Sequence, residues 1–383
     1  MAKTIAILGG GIGGVTAALT LRRRLSPDNR VIVIDQSKEL RFCPSYTWLI
    51  MGWRRPEEIV KDLAALKKKG IEFMNAPVEA IDPIEKKIAV GGSELAYDHM
   101  IVSLGAQLAP AMLPGFTEGA LNLYELSGVE AVRDALRDFT GGKIVILVSG
   151  MPYKCPGAPP ETALLIDSLF RRRGIRDRVE IAIYTPEPQP MPVAGPDVGT
   201  ALKGLLESRD ISFNAGLKPQ SIDAARKTIV FENGENTVYD LLIGIPPHTA
   251  PGVIKNSPLA GEIGWVPVDA ATLETKFESC YAIGDVAAIK LKTEGLMLPK
   301  AGVFAEEEAK IVANNIAVAV AGEGKLLSFN GRGGCFIDSG FGKAAYGSGD
   351  FYADPRPDIT AKMPARRWHW AKLWVERQWL RGW

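Results

Sequence analysis

Histidine is the scarcest ionisable residue, with only His99, His248 and His369, widely scattered, which argues against a metal centre. Cysteine is nearly as rare. Four residues with no C-x-x-C spacing exclude a disulfide scaffold, a zinc site and c-type haem attachment. No apolar run reaches the roughly 18 residues of a membrane-spanning helix. Neither charge predominates: 45 basic groups face 44 acidic ones, a formal net charge of +1, so nothing marks a nucleic-acid partner. The start, Met1-Ala-Lys-Thr-Ile5, enters an apolar strand at once, predicting no signal peptide.

What is present points to an α/β chain. At 383 residues, 46% of them hydrophobic, it has length and apolar content for two or three packed units. Thr4-Ile-Ala-Ile-Leu8 reads as a buried strand, Gly9-Gly-Gly-Ile-Gly-Gly14 as a turn, and the following residues as a helix to about Leu25. A second strand, Arg30–Asp35, ends in an acid. Gly9, Gly11 and Gly14 form G-x-G-x-x-G, where the backbone approaches a pyrophosphate at a helix N-terminus and Asp35 takes ribose hydroxyls.

The pattern recurs. Lys143-Ile-Val-Ile-Leu147 repeats the first strand, Asp210-Ile-Ser-Phe213 echoes Gly70-Ile-Glu-Phe73, and Tyr239-Asp240 echoes Tyr97-Asp98. The expected fold is therefore two tandem Rossmann-like dinucleotide-binding domains. The first comprises residues 1–115 and 245–325; the second, inserted in it, comprises 116–244; a C-terminal region covers 326–383. In the second copy only Gly150 survives of the phosphate fingerprint, prolines and Cys155 fill the turn, and Thr185-Pro186 follows the second strand in place of an acid. That copy should bind NAD(H) poorly.

Later segments return to the first nucleotide. Gly105 follows a strand of the first unit, and Gly284-Asp285 ends an apolar strand that either presents a carboxylate to a cofactor or simply caps a turn. Pro299-Lys-Ala-Gly302 leads into a long helix whose N-terminus suits negative charge on a reduced flavin, placing Lys300 and Gly302 with the cofactor residues.

Together these pieces resemble the two-dinucleotide-binding-domain flavoproteins. Phe42-Cys-Pro-Ser-Tyr-Thr-Trp48, Cys155-Pro-Gly-Ala-Pro-Pro-Glu161, Ala282-Ile-Gly-Asp285, Pro299-Lys-Ala-Gly-Val303 and Gly333-Gly-Cys-Phe336 look like sulfide:quinone oxidoreductase, and almost as much like the flavoprotein subunit of flavocytochrome c sulfide dehydrogenase. The resemblance implies FAD on the first domain and Cys155 and Cys335 as a redox pair. Sulfide reduces the pair, yielding polysulfide or sulfur, and quinone receives the electrons; Glu161 handles protons. Many members carry a third cysteine before the second domain. Ala120–Leu126 here has none, which speaks against a cysteine-linked flavin.

Cys155 lies near a helix N-terminus beside Lys154, a setting expected to lower a thiol's pKa. Cys43 and Cys280 are expected to be packing residues. Phe336, Tyr346 and Phe351 are candidates for a quinone slot. The proline-rich stretch Thr185–Pro192 is either a flap over the sulfur site or a connector. The tail Arg366–Trp383 holds five of the eight tryptophans among basic residues, with Trp370, Leu373, Trp374 and Leu380 expected near one face. Such a helix lies on a membrane surface, or its tryptophans pack on the core or between subunits. The expectation is a peripheral membrane protein, the membrane side and any homo-oligomer left open. The rival readings are the sulfide dehydrogenase flavoprotein, an NADH:quinone oxidoreductase and a flavin-bound protein without turnover.

Overall fold

In the computed structural model, which describes residues 2–293 and 295–382, the strand-helix-strand start folds as its pattern dictates. Strand β1 (Thr4–Leu8), helix α1 (Ile12–Arg24) and strands β2 (Arg30–Asp35), β3 (Glu72–Asn75) and β4 (His99–Val102) form one layer. The second unit follows with β5 (Leu121–Asn122), β6 (Gly142–Val148), helix α2 (Ala158–Arg173), β7 (Val179–Tyr184), β8 (Ile211–Asn214) and β9 (Leu241–Ile245). The chain then returns to the first sheet with β10 (Cys280–Ala282) and helix α3 (Gly302–Ala321).

Both sheets are wholly parallel, in the orders β10-β4-β1-β2-β3 and β5-β9-β6-β7-β8. β10 lies on the far side of the second unit in sequence but pairs with β4, so the second Rossmann-like unit is an insertion in the first. The repeat extends to the excursions that precede β4 in the first unit and β9 in the second. Residues Val78–Asp82, Lys87–Val90 and Ser93–Ala96 make a three-stranded antiparallel meander, as do Pro219–Asp223, Thr228–Phe231 and Asn236–Val238.

The strands are near-continuous aliphatic runs because helices cover both faces of a parallel sheet. Ile5, Ile7, Val31 and Ile101 centre one core, and Ile144, Ile146, Leu164 and Phe170 another. Each such side chain contributes about 1.5–3 kcal/mol on burial. A C-terminal antiparallel sheet, β11 (Arg332–Gly340), β12 (Lys343–Asp350) and β13 (Asp358–Ala365), bridges the two, with Ile337 in the second core and Phe351 in the first. The last helix, α4 (Arg366–Arg381), lies against this sheet.

Candidate redox site between the two units

The first phosphate loop is built for a close approach. A Cβ on Gly14 would stand 1.8 Å from the Gly9 carbonyl oxygen, and Gly9 itself has φ +102°. At Gly11, by contrast, a Cβ would meet nothing within 4 Å. The N-terminus of α1 has no side-chain cap and no acid in its first turn, so its N–H groups are left for an anionic ligand. The Asp35 carboxylate accepts from Gly10 N at 2.6 Å and Ser37 N at 2.7 Å, which fixes it beside the loop. Gly105 has φ +66° with open space beside it.

The N-terminus of α3 repeats that arrangement, uncapped and without a first-turn acid, beginning at Gly302. Beside it Lys300 donates to the carbonyl of Asp285 and stands 3.6 Å from the centre of the Trp265 ring. Burial pulls the Lys300 pKa down to about 8, against the attraction of Asp285 and Glu308. Glu308, wholly enclosed, accepts from Gly284 N at 2.6 Å, and burial pushes it up to about 8. Two uncapped helix N-termini and a glycine loop facing open space on one unit fit a dinucleotide cofactor.

Cys155 and Cys335, one from the middle of the sequence and one from its C-terminal region, line one cavity of about 120 Å³. Its wall is almost entirely apolar and includes Met191, Val198, Leu202, Phe304, Tyr346 and Phe351. Cys335 stands on β11 opposite Gly347, while Cys155 sits in the loop before α2 with φ +54°. The Cys155 N–H donates to Lys300 O at 2.7 Å, so the cysteine loop is fastened to the cofactor side of the first unit. Met191 brings the end of the proline-rich stretch onto the cavity wall.

The thiols are not low-pKa groups in this setting. Burial, then Cys335 and Glu161, push Cys155 up to about 12, and burial pushes Cys335 up to about 11. Cys155 is nonetheless exposed, whereas Cys335 is half-buried. Lys154 is not the opposing cation: its ammonium lies 5.7 Å from the Tyr124 ring centre. The cation that lowers both thiols is Lys372 of α4.

Lys372 belongs to a buried polar cluster behind the cysteines. Glu161, in the first turn of α2, accepts from Thr47 Oγ1 and from Lys372 Nζ, both at 2.5 Å, and from Asp338 N at 3.1 Å. Asp338 of β11 takes Trp48 Nε1 at 2.5 Å and Lys372 Nζ at 3.3 Å, and pairs with His369 Nδ1 at 2.7 Å. Burial raises Glu161, with Lys372 opposing. For Asp338 the His369 hydrogen bond and the Lys372 charge overcome burial and hold its carboxyl low. Beyond Glu161 this cluster leaves no mark in the sequence, because Lys372 and His369 sit in a stretch whose composition reads as surface.

Helix α4 therefore has two faces. His369, Lys372 and Glu376 point inward. Glu376, 5% exposed, accepts from Arg54 and, at 2.5 Å, from Ser45 Oγ. Trp379 stacks on Phe42 at 4.9 Å and Leu380 packs into the second core, so Leu380 does not share the outer face expected for it. Trp370 and Trp374 are 64% and 62% exposed, with Arg366, Arg367, Arg377 and Arg381 exposed around them. Trp383, the last of the tail's tryptophans, lies outside the described residues.

Of the aromatic candidates, Tyr346 and Phe351 line the cysteine cavity, whereas Phe336 does not. Phe336 pairs with Tyr346 at 4.8 Å, and Tyr346 stacks on Trp368 at 5.0 Å. Cys280 is fully buried in β10, and Cys43 is half-buried in a short turn.

The second phosphate loop departs from the first in shape as well as sequence. In the first unit Gly9 to Gly11 join strand to helix; in the second, Ser149 to Gly157 intervene and carry the helix N-terminus away from the strand end. An acid does follow β7, at Glu187, but it is buried and turned inward, accepting from Tyr153 Oη at 2.8 Å and Thr185 Oγ1 at 3.1 Å. Tyr153, a residue of the loop itself, is buried.

Known proteins resemble the chain over its whole length. The family model of pyridine nucleotide-disulphide oxidoreductases matches residues 3–309. The mouse mitochondrial sulfide:quinone oxidoreductase is 27% identical over 370 residues, covering 92% of this chain and 79% of that protein. A sulfide-quinone reductase of Aquifex aeolicus is 25% identical, covering 99% and 91%. The crystal structure of the Aquifex aeolicus sulfide:quinone oxidoreductase superposes with a TM-score of 0.88 at 24% identity, covering 100% and 92%.

Proposed function

The chain belongs to the pyridine nucleotide-disulphide oxidoreductase family, and from that premise we propose that it is an FAD-dependent sulfide:quinone oxidoreductase working through Cys155 and Cys335. The observation that carries this reading is the meeting of those two cysteines on one small apolar cavity fastened to the cofactor side.

Flavin is the cofactor of this family, and the residues suited to hold it as FAD are Gly9, Gly11, Gly14 and Asp35 for the adenosine diphosphate half, with Gly284, Asp285, Lys300 and Gly302 towards the ring. When bound, the flavin accepts an electron pair from the thiol side and gives it up to quinone. The protein's own part is to hold a hydrosulfide against a Cys155–Cys335 disulfide at the mouth of an apolar cavity. Hydrosulfide attacks one sulfur, the disulfide breaks, and the other sulfur departs as thiolate. Glu161, whose carboxyl is raised by burial, takes and holds the proton of the resulting persulfide. Repetition lengthens the sulfur chain, and apolar walls suit a zero-valent sulfur product.

The acceptor side is supported by the aromatic group Phe336, Tyr346 and Trp368 beside α4. The outer face of that helix, two exposed tryptophans flanked by arginines, has the chemistry of a membrane-surface anchor that would bring the site to lipid-dissolved quinone. Among the described residues no helix is long and apolar enough to cross a membrane. An NADH-fed reaction is disfavoured by the Tyr153–Glu187 contact that occupies the second unit's nucleotide side.

Steady-state reduction of a short-chain quinone tests the proposal. Sulfide should drive it in the wild type and in neither Cys155→Ala nor Cys335→Ala, and NADH should not drive it. Equal rates with NADH and no rate with sulfide would refute it.

A further inference from the structure

The C-terminal helix carries a cation into the interior although its outer face reads as a lipid anchor. We propose that Lys372 is a positioning residue for the redox thiols: its ammonium, fixed between the Glu161 and Asp338 carboxylates, stabilises the thiolate set free at Cys155 or Cys335. The proposal rests on the cysteine reading above, and it makes α4 part of the redox site.

Three elements converge to make the arrangement. Helix α2 brings Glu161 in the turn that follows Cys155, β11 brings Asp338 three residues beyond Cys335 on the other face of the strand, and α4 brings Lys372. The ammonium is 2.5 Å from Glu161 Oε1 and 3.3 Å from Asp338 Oδ2, with 13% of the side chain exposed. Such a head group has no freedom to swing away, and the tight pairing holds its charge. Burial works against that charge, but the two carboxylates outweigh it and keep the lysine pKa above its ordinary value.

The other cations near the cysteines are engaged elsewhere: Lys362 lines the same cavity but holds its ammonium 5.1 Å from the Trp368 ring centre, Lys300 donates to the Asp285 carbonyl, and Lys154 lies over the Tyr124 ring. Glu161 and Asp285 act on Cys155 in the opposite sense, and the two thiols disfavour each other's ionisation. His369 is engaged by Asp338, Thr47 and Trp48 are neutral, and Arg54 is paired with Glu376, its guanidinium 4.9 Å from the Trp48 ring centre. Lys372 is the cation that acts on Cys155 and on Cys335 alike. In the cleavage step the pair of electrons from the broken disulfide bond stays on the departing sulfur. A fixed ammonium nearby lowers the energy of that charge without any reorganisation at the moment of reaction. A lysine that merely balanced buried carboxylates would leave thiol ionisation unchanged.

The test is site-resolved alkylation of the reduced, flavin-loaded protein with iodoacetamide over the neutral to alkaline range, read by mass spectrometry at Cys155 and Cys335. No sulfide or quinone is present, so the result stands apart from whether the turnover reading holds. Lys372→Met should move the alkylation profile of both thiols upward by about one pH unit, a roughly tenfold slower reaction at a fixed pH below the midpoint, and Lys372→Arg should restore most of it. Glu161→Gln alone should move the profiles downward, and Lys372→Met/Glu161→Gln should lie above Glu161→Gln; that pair of variants gives the same reading if the single lysine variant does not fold. Profiles unchanged by loss of Lys372 in either background would overturn the proposal.

Discussion

The N–H of Cys155 donates to the carbonyl oxygen of Lys300 at 2.7 Å, joining the loop that replaces the second phosphate site to the loop that approaches the first. The duplicated unit has thus been turned to a new use. Its turn is longer than the first and carries prolines where the first carries glycines, and a thiol stands where the two units meet. The same contact holds Cys155 at φ +54°, a left-handed conformation that costs a side-chain-bearing residue on the order of 1 kcal/mol or more.

That strain gives a first prediction. Cys155→Ala and Cys155→Gly should both lack sulfide-dependent turnover, yet the glycine variant should be the more stable by about 1 kcal/mol, because glycine enters the left-handed region freely. Thermal melts of the two variants check it. An alanine variant as stable as the glycine one would mean that the loop relaxes once the thiol is gone.

The phosphate loop gives a pair of substitutions with opposite signatures. Gly14→Ala puts a methyl 1.8 Å from a backbone oxygen and should cost about 3 kcal/mol or prevent folding. Gly11→Ala meets no protein atom, so the flavin-free chain should fold with an unchanged melting temperature but retain much less flavin. The ratio of visible to ultraviolet absorbance in the purified proteins reads the second effect directly.

Glu308 should make stability fall with rising pH. Burial raises its pKa from the ordinary 4.5 to about 8 in the folded protein. Between those values the folded state holds a proton that the unfolded state has released, so raising pH favours unfolding. The contribution is fully present below the unfolded value and lost as pH passes the folded one. Glu308→Gln should therefore flatten this part of the pH–stability profile, raising the melting temperature near pH 8 more than near pH 5. Parallel profiles for the two proteins would show that Glu308 is ionised in the fold.

Helix α4 separates attachment from structure. Replacing exposed Trp370 and Trp374 by serine should leave the melting temperature within a degree or two while weakening sedimentation with anionic lipid vesicles several-fold. Replacing buried Glu376 by alanine should instead cost about 3 kcal/mol or more, since it strands Arg54 behind the helix. Vesicle binding untouched by the tryptophan change would remove the membrane role from this face.

Much of the architecture was legible because its signals are local. Each parallel strand is a short aliphatic run, and the spacing of Gly9, Gly11, Gly14 and Asp35 is set by backbone geometry that few other residues satisfy. The return of β10 to the first sheet followed from the repeat. The polar cluster was not legible. Glu161, Asp338 and Lys372 are far apart in sequence, and a lysine on a tryptophan- and arginine-rich helix gives no sign of which face is buried. The sense of the Cys155 shift was also missed, since proximity to a helix N-terminus and Lys154 says nothing of how much protein encloses the thiol. Glu187 escaped notice because the acid stands beyond the strand end and its inward turn depends on Tyr153.

In the proposed reaction sulfide delivers electrons to the flavin through Cys155 and Cys335. Anaerobic titration of the flavin-loaded protein with sulfide, followed by the visible flavin absorbance, reads that transfer. Bleaching is expected in the wild type, with recovery of the colour on adding quinone, and no bleaching in Cys155→Ala or Cys335→Ala or with NADH. Bleaching by NADH with no response to sulfide, or full bleaching by sulfide in either cysteine variant, would rule the reaction out.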